Sequence, residues 1–249
     1  MLHYIYDGSF SGFLTLVHRV LSEKKVPDRI SGSDSYQPDL FSQDVIIEAE
    51  GEKADRVAEA IIKEISRKCY RTVYRSFLSE IEGFERATVK FICRGFQTGE
   101  GVYRDWTDPD SALVRRAEKR VNSELHRYQG LLRFRMLESE ILYAPYRPEH
   151  KISNLLAWHF SRRLAAERWI IHDRGRNIAV IYSNREWLEI PAEELKDLKF
   201  AGEEEQYQKL WIKFFESISI KMRKNLKAQS RFMPKKCWEF LIEKENNTK

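Results

Sequence analysis

The sequence predicts an α+β fold that is rich in helix, and two patterns carry this prediction. Apolar residues recur every three or four positions over residues 53–69, 112–128 and 204–226, as expected of helices with one buried face. Between residues 131 and 183, short segments alternate apolar and polar residues around one helical segment. Their order, β-β-α-β-β, predicts a small antiparallel sheet with long amphipathic helices packed on it.

The first 110 residues are predicted to be mostly helical. Residues 1–6 form a strand, and a turn follows in which Ser9 caps the next helix. Residues 28–43 contain Pro, Gly, Ser and Asp and are predicted to form a surface loop. The further elements expected here are a strand at 45–49, helices at 53–69, 72–81 and 87–95, and a loop at 98–109.

Two further regions complete the prediction. A helix that Asp110 or Ser111 can cap opens the region 111–190. The elements expected after it are strands at 131–137 and 141–146, a helix at 152–167, and strands at 169–173 and 177–183. Residues 191–249 are predicted to be helical, with helices at 204–226 and 236–243. We expect the regions 1–110, 111–190 and 191–249 to form one compact unit.

Composition places the chain among folded proteins without a membrane span. It has 249 residues, of which 42% are hydrophobic, and no apolar run reaches the roughly 18 residues that cross a bilayer. We expect no membrane association and a cytoplasmic location. Cys69, Cys93 and Cys237 stand far apart and form no CxxC pair, so we expect neither a metal nor a cofactor.

The charge pattern indicates an anionic partner. The net charge is +5, and the predicted helix at 112–128 carries almost only cations on its polar side. Such sorting favours contact with nucleic-acid phosphates, whereas the alternative is a solvated outer face. The cations predicted to contact nucleic acid are Arg115, Arg116, Lys119, Arg120, Arg127, Arg133, Arg135, Arg163, Arg223, Lys227 and Arg231.

A few titratable residues are weak candidates for chemistry. His159 and Arg163 fall on the apolar stripe of the helix at 152–167, so Arg163 needs either a ligand anion or an internal partner such as Asp173. His172 is adjacent to Asp173, and Asp7 lies in a turn between a strand and a helix. No phosphate loop, dinucleotide fingerprint, HExxH or GxSxG motif is present.

Several motifs in order resemble a bacterial family. They are YDGSFSGFL (6–14), LVRRAEKRVNSELHRYQGLLRFR (113–135), YAPYRPEH (143–150), NLLAWHFSRR (154–163), WIIHD (169–173), YQKLWIKFFESISIKMRKN (207–225) and FMPKKCWEFL (232–241). The family is called "probable DNA metabolism protein" and contains a domain of unknown function. Its members are typically encoded beside a radical-SAM putative DNA modification or repair protein. Some are fused to a uracil-DNA-glycosylase-like domain, which we do not expect within these residues.

Three functional hypotheses follow from the residues and the resemblance. The first is a DNA-binding accessory protein in DNA modification or repair that acts with a radical-SAM or glycosylase-type partner. The second is an enzyme acting on a nucleobase or nucleotide, for which His159, His172 or Asp173 would have to converge with Asp7 in one pocket. The third is a protein-interaction adaptor that does not bind nucleic acid. We favour the first, because the cations are segregated while a catalytic motif is missing from the sequence.

Overall fold

The computed structural model describes residues 1–195, 198–219 and 225–247. It confirms an α+β fold that is rich in helix. The chain divides into two compact units, Met1–Asn122 and Ser123–Lys249, which we call the N-terminal and C-terminal units. The division therefore falls inside a helix, whereas the sequence suggested bounds at 110/111 and 190/191 within one compact unit.

A parallel three-stranded sheet opens the N-terminal unit. Its strands are β1 (Leu2–Tyr6), β2 (Arg29–Gly32) and β3 (Gln43–Ile47), in the order β2-β1-β3, and α1 (Phe10–Glu23) follows β1. Ser9 caps α1 as predicted, because its hydroxyl oxygen accepts a hydrogen bond from the Gly12 N–H at 2.9 Å. The prediction of a loop over 28–43 is wrong at β2, whose four residues pair with β1.

The helical part of this unit is more segmented than the sequence suggested. α2 (Gly51–Ala60) continues into a π-helical turn at Ile61–Ile65 and then stops at Ser66. The Ser66 hydroxyl accepts a hydrogen bond from the Cys69 N–H at 3.2 Å and starts α3 (Arg67–Phe77). The predicted helix over 53–69 is therefore two helices. α4 (Phe84–Thr98) follows, and then a short 3₁₀ helix at Gly99–Tyr103.

The helix α5 (Pro109–Leu131) carries the basic motif. The period predicts a buried face of Leu113, Ala117, Val121, Leu125 and Tyr128. Ala117, Val121 and Tyr128 are buried as predicted, whereas Leu113 and Leu125 are half-buried and Val114 is buried in addition. The predicted caps are wrong, since it is the Asp108 carboxylate that accepts the Ser111 N–H at 2.7 Å. Proline at the first helical position fits this start, because its missing N–H needs no partner there.

A five-stranded mixed sheet forms the centre of the C-terminal unit. Its strands, in spatial order, are β4 (Arg135–Met136), β5 (Leu142–Tyr146), β6 (Trp169–Asp173), β7 (Ile178–Ser183) and β8 (Glu186–Pro191). Neighbours are antiparallel except β5 and β6, which are parallel and are joined through α6 (Ser153–Arg163). The sheet therefore departs from the antiparallel prediction at this crossover. β8 was not predicted.

The chain ends in helical segments. α7 (Glu204–Ile218) lies within the predicted helix at 204–226, and α8 (Leu226–Phe232) begins at the last residue of that range. Residues 220–224 lie outside the described residues. The helix expected at 236–243 is replaced by two 3₁₀ helices, Lys235–Phe240 and Ile242–Asn247.

Candidate nucleic-acid interface

Three cations protrude from the part of α5 that belongs to the N-terminal unit. Arg116, Lys119 and Arg120 are all exposed, and they lie opposite the buried Val114–Val121 face of the helix. Within the part of the chain that the structure describes, none of the three forms an ion pair with an acidic side chain, whereas Arg94 pairs with Asp105 and Asp108. Their charges are therefore directed at solvent.

An exposed tryptophan in the loop before α5 contacts Arg115, the neighbour of Arg116 in sequence. Trp106 is 77% exposed, although it is a large aromatic side chain. The Arg115 guanidinium carbon lies 4.7 Å from the centroid of the Trp106 ring, and Arg115 Nη2 donates to the Asp105 carbonyl oxygen at 3.0 Å. Arg115 is thus half-buried and holds the indole by a cation–π contact.

The loop that carries Trp106 is held by its own carboxylates. Asp105 Oδ1 accepts hydrogen bonds from the Thr107 N–H, the Thr107 hydroxyl and the Asp108 N–H, at 3.1, 2.8 and 3.1 Å. Asp108 is nearly buried, which would raise the pKa of its carboxyl group. The hydrogen bonds from Arg94 and Ser111 and the charge of Arg94 outweigh this burial and bring that pKa to about 2. The loop therefore has a fixed conformation around an exposed indole.

The other predicted contact residues have different surroundings. Arg133 donates to the buried Glu243 carboxylate at 2.6 Å from Nη2 and 3.2 Å from Nε, so its charge is neutralised inside the C-terminal unit. The Arg135 guanidinium carbon lies 5.8 Å from the Phe200 ring centroid. Arg127 is half-buried, and Arg163, Lys227 and Arg231 are exposed. Arg223 lies outside the described residues.

The sheet of the C-terminal unit separates His172 from Asp173. The Asp173 carboxylate accepts hydrogen bonds from the Gly175 N–H at 2.9 Å, the Arg176 N–H at 3.2 Å and Arg176 Nη1 at 2.9 Å. Its strand neighbour Tyr146 contacts Ser153 at the start of α6, so Asp173 is on the sheet face that α6 covers. His172 alternates with it and lies on the opposite face.

The two histidines consequently have separate environments. Nδ1 of His172 lies 2.7 Å from the Tyr143 hydroxyl, while His159 is on α6 and contacts the Phe160 ring. Burial lowers the pKa of both imidazoles, with a smaller effect from the charges of Arg174 on His172 and Arg163 on His159. Both rings are therefore expected to be neutral at pH 7.

Arg163 and Asp7 have simple explanations. The suggested internal pair of Arg163 with Asp173 is wrong, because Arg176 occupies that carboxylate and Arg163 is exposed at the end of α6. Asp7 belongs to the N-terminal unit, where its Oδ1 accepts the Ser9 N–H at 2.9 Å and so supports the cap of α1. Within the described residues, no group of three His, Cys, Asp or Glu side chains is placed to hold a metal ion.

Sequence reasoning missed Trp106 as a site residue. The available signal was an aromatic residue in a segment of Asp, Thr and Gly between two helices, where burial is not expected. The buried partner of Arg133 was also missed, since Glu243 lies 110 positions further along the chain.

Two comparisons with known proteins are informative. Residues 82–243 match the family DUF4130, described as a domain of unknown function, and this range includes α5 and Trp106. The chain is also similar to an uncharacterized protein, YubM, of Escherichia coli O157:H7, with 27% identity over 133 residues. That similarity covers 52% of this chain but 19% of YubM, so the chain spans about a fifth of that relative's length. No helix among the described residues has the length and apolar character needed to cross a membrane.

Proposed function

This chain belongs to the DUF4130 family, whose function is unknown, and we propose that it is a DNA-binding accessory protein in DNA modification or repair. The observation that carries the proposal is the exposed trio Arg116, Lys119 and Arg120, which has no acidic partner within the described residues. Charges that are already paired, such as that of Arg133, contribute little to such a surface.

The chemistry of this trio suits a phosphate backbone. Consecutive turns of α5 rise about 5.4 Å, so Arg116 and Arg120 present two cations along the helix axis with Lys119 beside them. Duplex DNA carries one negative charge per roughly 1.7 Å of its axis, and cations that neutralise its phosphates release condensed counterions. Contacts of this kind fix the position of a protein on DNA without reading its sequence.

Trp106, whose ring contacts Arg115 next to Arg116, is proposed to extend this surface with a means of holding an unpaired base. An indole held by Arg115 keeps one ring face for stacking, and base–aromatic stacking contributes about 1–3 kcal/mol per base. Together, the trio and Trp106 suit DNA that is single-stranded or locally unpaired, as at a lesion. The radical-SAM or glycosylase-type partner implied by the family resemblance would then supply the chemistry.

A charge-reversal experiment tests the proposal. The variant R116E/K119E/R120E is compared with K24E/K25E/K63E, which reverses three exposed lysines elsewhere in the N-terminal unit. Binding of a fluorescein-labelled 20-nucleotide DNA, as a single strand and as a duplex, is followed by fluorescence anisotropy at 100 mM KCl.

The α5 variant should bind at least about tenfold more weakly, and the control should stay within about threefold of the wild type. Equal affinities for the wild type and the α5 variant, with both folded by circular dichroism, would exclude this surface. Nuclease-insensitive capture of an acidic protein without any DNA binding would favour an adaptor instead.

A further inference from the structure

The apolar stripe of α7 is only partly covered. Glu204, Gln208 and Phe215 face the body of the C-terminal unit, whereas Tyr207 is 62% exposed and Phe214 is 54% exposed. The large hydrophobic residues of α7 with exposed fractions between 38% and 62% are Tyr207, Leu210, Trp211, Phe214 and Ile218. A helix of a folded domain normally turns such a stripe to the core, so a contiguous exposed stripe indicates a binding surface.

This stripe forms one wall of a groove within the C-terminal unit. The other wall comes from the segment around β4, with Leu132, Phe134, Met136 and Leu142, and Ile242 also contributes to the lining. The cavity between them has a volume of about 960 Å³. The lining residues of α7 run from Glu204 to Phe214, so this wall is about 16 Å long, or three helical turns.

Two buried carboxylates fix the walls. Glu243 accepts hydrogen bonds from Arg133 Nη2 at 2.6 Å and from Trp211 Nε1 at 3.0 Å, and so joins the two walls through one side chain. Glu204 accepts the Met136 N–H at 2.8 Å and also binds Gln208 Nε2 at 3.0 Å. The two walls are therefore fixed relative to each other before any partner arrives, which lowers the entropic cost of binding.

The charge of the groove is negative. Glu138, Glu140 and Glu203 are exposed lining residues. Arg133 is the cation among the described lining residues, and Glu243 neutralises it. An occupant with positive charges beside an apolar face is complementary to this rim.

The shape of the groove favours a helix over a small polar ligand. Small-molecule sites orient their ligand with a few polar groups that converge inside an apolar pocket. The polar side chains inside this groove already have hydrogen-bond partners in the protein. Arg133 and Trp211 donate to Glu243, and Glu204 accepts from the Met136 N–H. An apolar wall three turns long instead suits an amphipathic helix that anchors side chains at i, i+3, i+4 and i+7.

We propose that this groove binds an amphipathic helix of another protein, one that has Lys or Arg beside its apolar face. This interaction is independent of the DNA contact assigned to α5. The partner helix buries its apolar residues against Leu210 and Phe214, and its cations lie near Glu138, Glu140 and Glu203.

Two designed peptides test the proposal with the full chain. One is a labelled 16-residue helix of Leu and Lys, and the other replaces every Lys by Glu. Fluorescence anisotropy should give at least tenfold tighter binding for the Leu/Lys peptide. The variant L210D/F214D should lose this binding, and E138Q/E140Q/E203Q should reduce the preference between the peptides to less than about threefold. The variants L40D/F41D and E48Q/E59Q/E64Q make matched changes at exposed residues of the N-terminal unit and should bind like the wild type.

Two outcomes would overturn the proposal. One is Leu/Lys binding that L210D/F214D leaves unchanged, or no binding by the folded wild type. The other is a concentration-dependent dimer, seen by analytical ultracentrifugation and removed by L210D/F214D, which would assign the groove to a second copy of this chain.

Discussion

Asp108 is one of the two carboxylates that hold the loop before α5, and replacing it tests how the candidate interface is held. Asp108 Oδ2 accepts the Ser111 N–H and also binds Arg94 Nη1. Asp108→Asn keeps an oxygen that can cap the helix but removes the charge that pairs with Arg94. Asp108→Ala removes both.

The pKa of Asp108 sets the size of the stability loss that is expected when its charge is removed. Its carboxyl group has a pKa of about 2 in the folded protein and an ordinary value of 3.8. A pKa that is lower in the folded state stabilises the fold above the unfolded value, and this contribution disappears as the pH falls from about 4 through about 2. At neutral pH it amounts to about 2 kcal/mol. Loss of the cap in Asp108→Ala adds roughly 1 kcal/mol that does not depend on pH.

Urea unfolding followed by circular dichroism measures these terms at pH 7, 4 and 2.5. The wild type should exceed Asp108→Asn in free energy of unfolding by about 2 kcal/mol at pH 7, and the difference should be mostly gone at pH 2.5. Asp108→Ala should stay below Asp108→Asn by roughly 1 kcal/mol at every pH. A difference between wild type and Asp108→Asn that is the same at all three pH values would refute the reasoning.

Three further predictions concern single residues. Trp106→Ala should weaken binding to single-stranded DNA about tenfold by anisotropy and leave duplex binding within twofold, because only unpaired bases stack. The control is Trp158→Ala, which removes a matching exposed Trp–Arg contact on α6 and should change neither single-strand nor duplex affinity. Glu243→Gln should lower the free energy of unfolding, measured by urea denaturation, by about 3 kcal/mol, because it leaves Arg133 without its anion. A decrease below about 1 kcal/mol would contradict this prediction. Burial raises the pKa of the Cys69 thiol to about 12, so Cys69 should react with iodoacetamide at pH 8 only as fast as the protein unfolds. Rapid labelling of Cys69 in the native protein, detected by mass spectrometry, would contradict this prediction.

Local signals predicted a large part of the fold. The turn and cap at Ser9, the hairpin of β6 and β7, and three of the five predicted buried positions of α5 all follow from capping chemistry and from periods of two or 3.6 residues. These features depend on neighbours in sequence, so the chain itself indicates them.

The errors have a different origin. The apolar stripe of α2 continues past Ser66, so periodicity hid the break that the Ser66 cap makes. β2 has four residues and ends in glycine, and its pairing with β1 is a long-range property. The parallel β5–β6 pairing likewise depends on how α6 returns the chain.

The candidate site likewise contains features that the local sequence indicates and features that depend on long-range packing. Helical period alone placed Arg116, Lys119 and Arg120 on the outer face of α5. It could not reveal that Arg133 has a carboxylate partner 110 positions away, nor that the stripe of α7 lines an open groove. Periodicity indicates which face of a helix is apolar, whereas only the packed structure determines what covers it.

The salt dependence of duplex binding is the most direct test of the assignment of α5 to DNA. The association constant is measured from 50 to 300 mM KCl for the wild type, R116E/K119E/R120E and K24E/K25E/K63E. Each phosphate contact contributes about 0.9 to the slope of log K against log[KCl], so the α5 variant should have a slope shallower by about 2 to 3 while the control keeps the wild-type slope. Equal slopes for the wild type and the α5 variant would contradict the account.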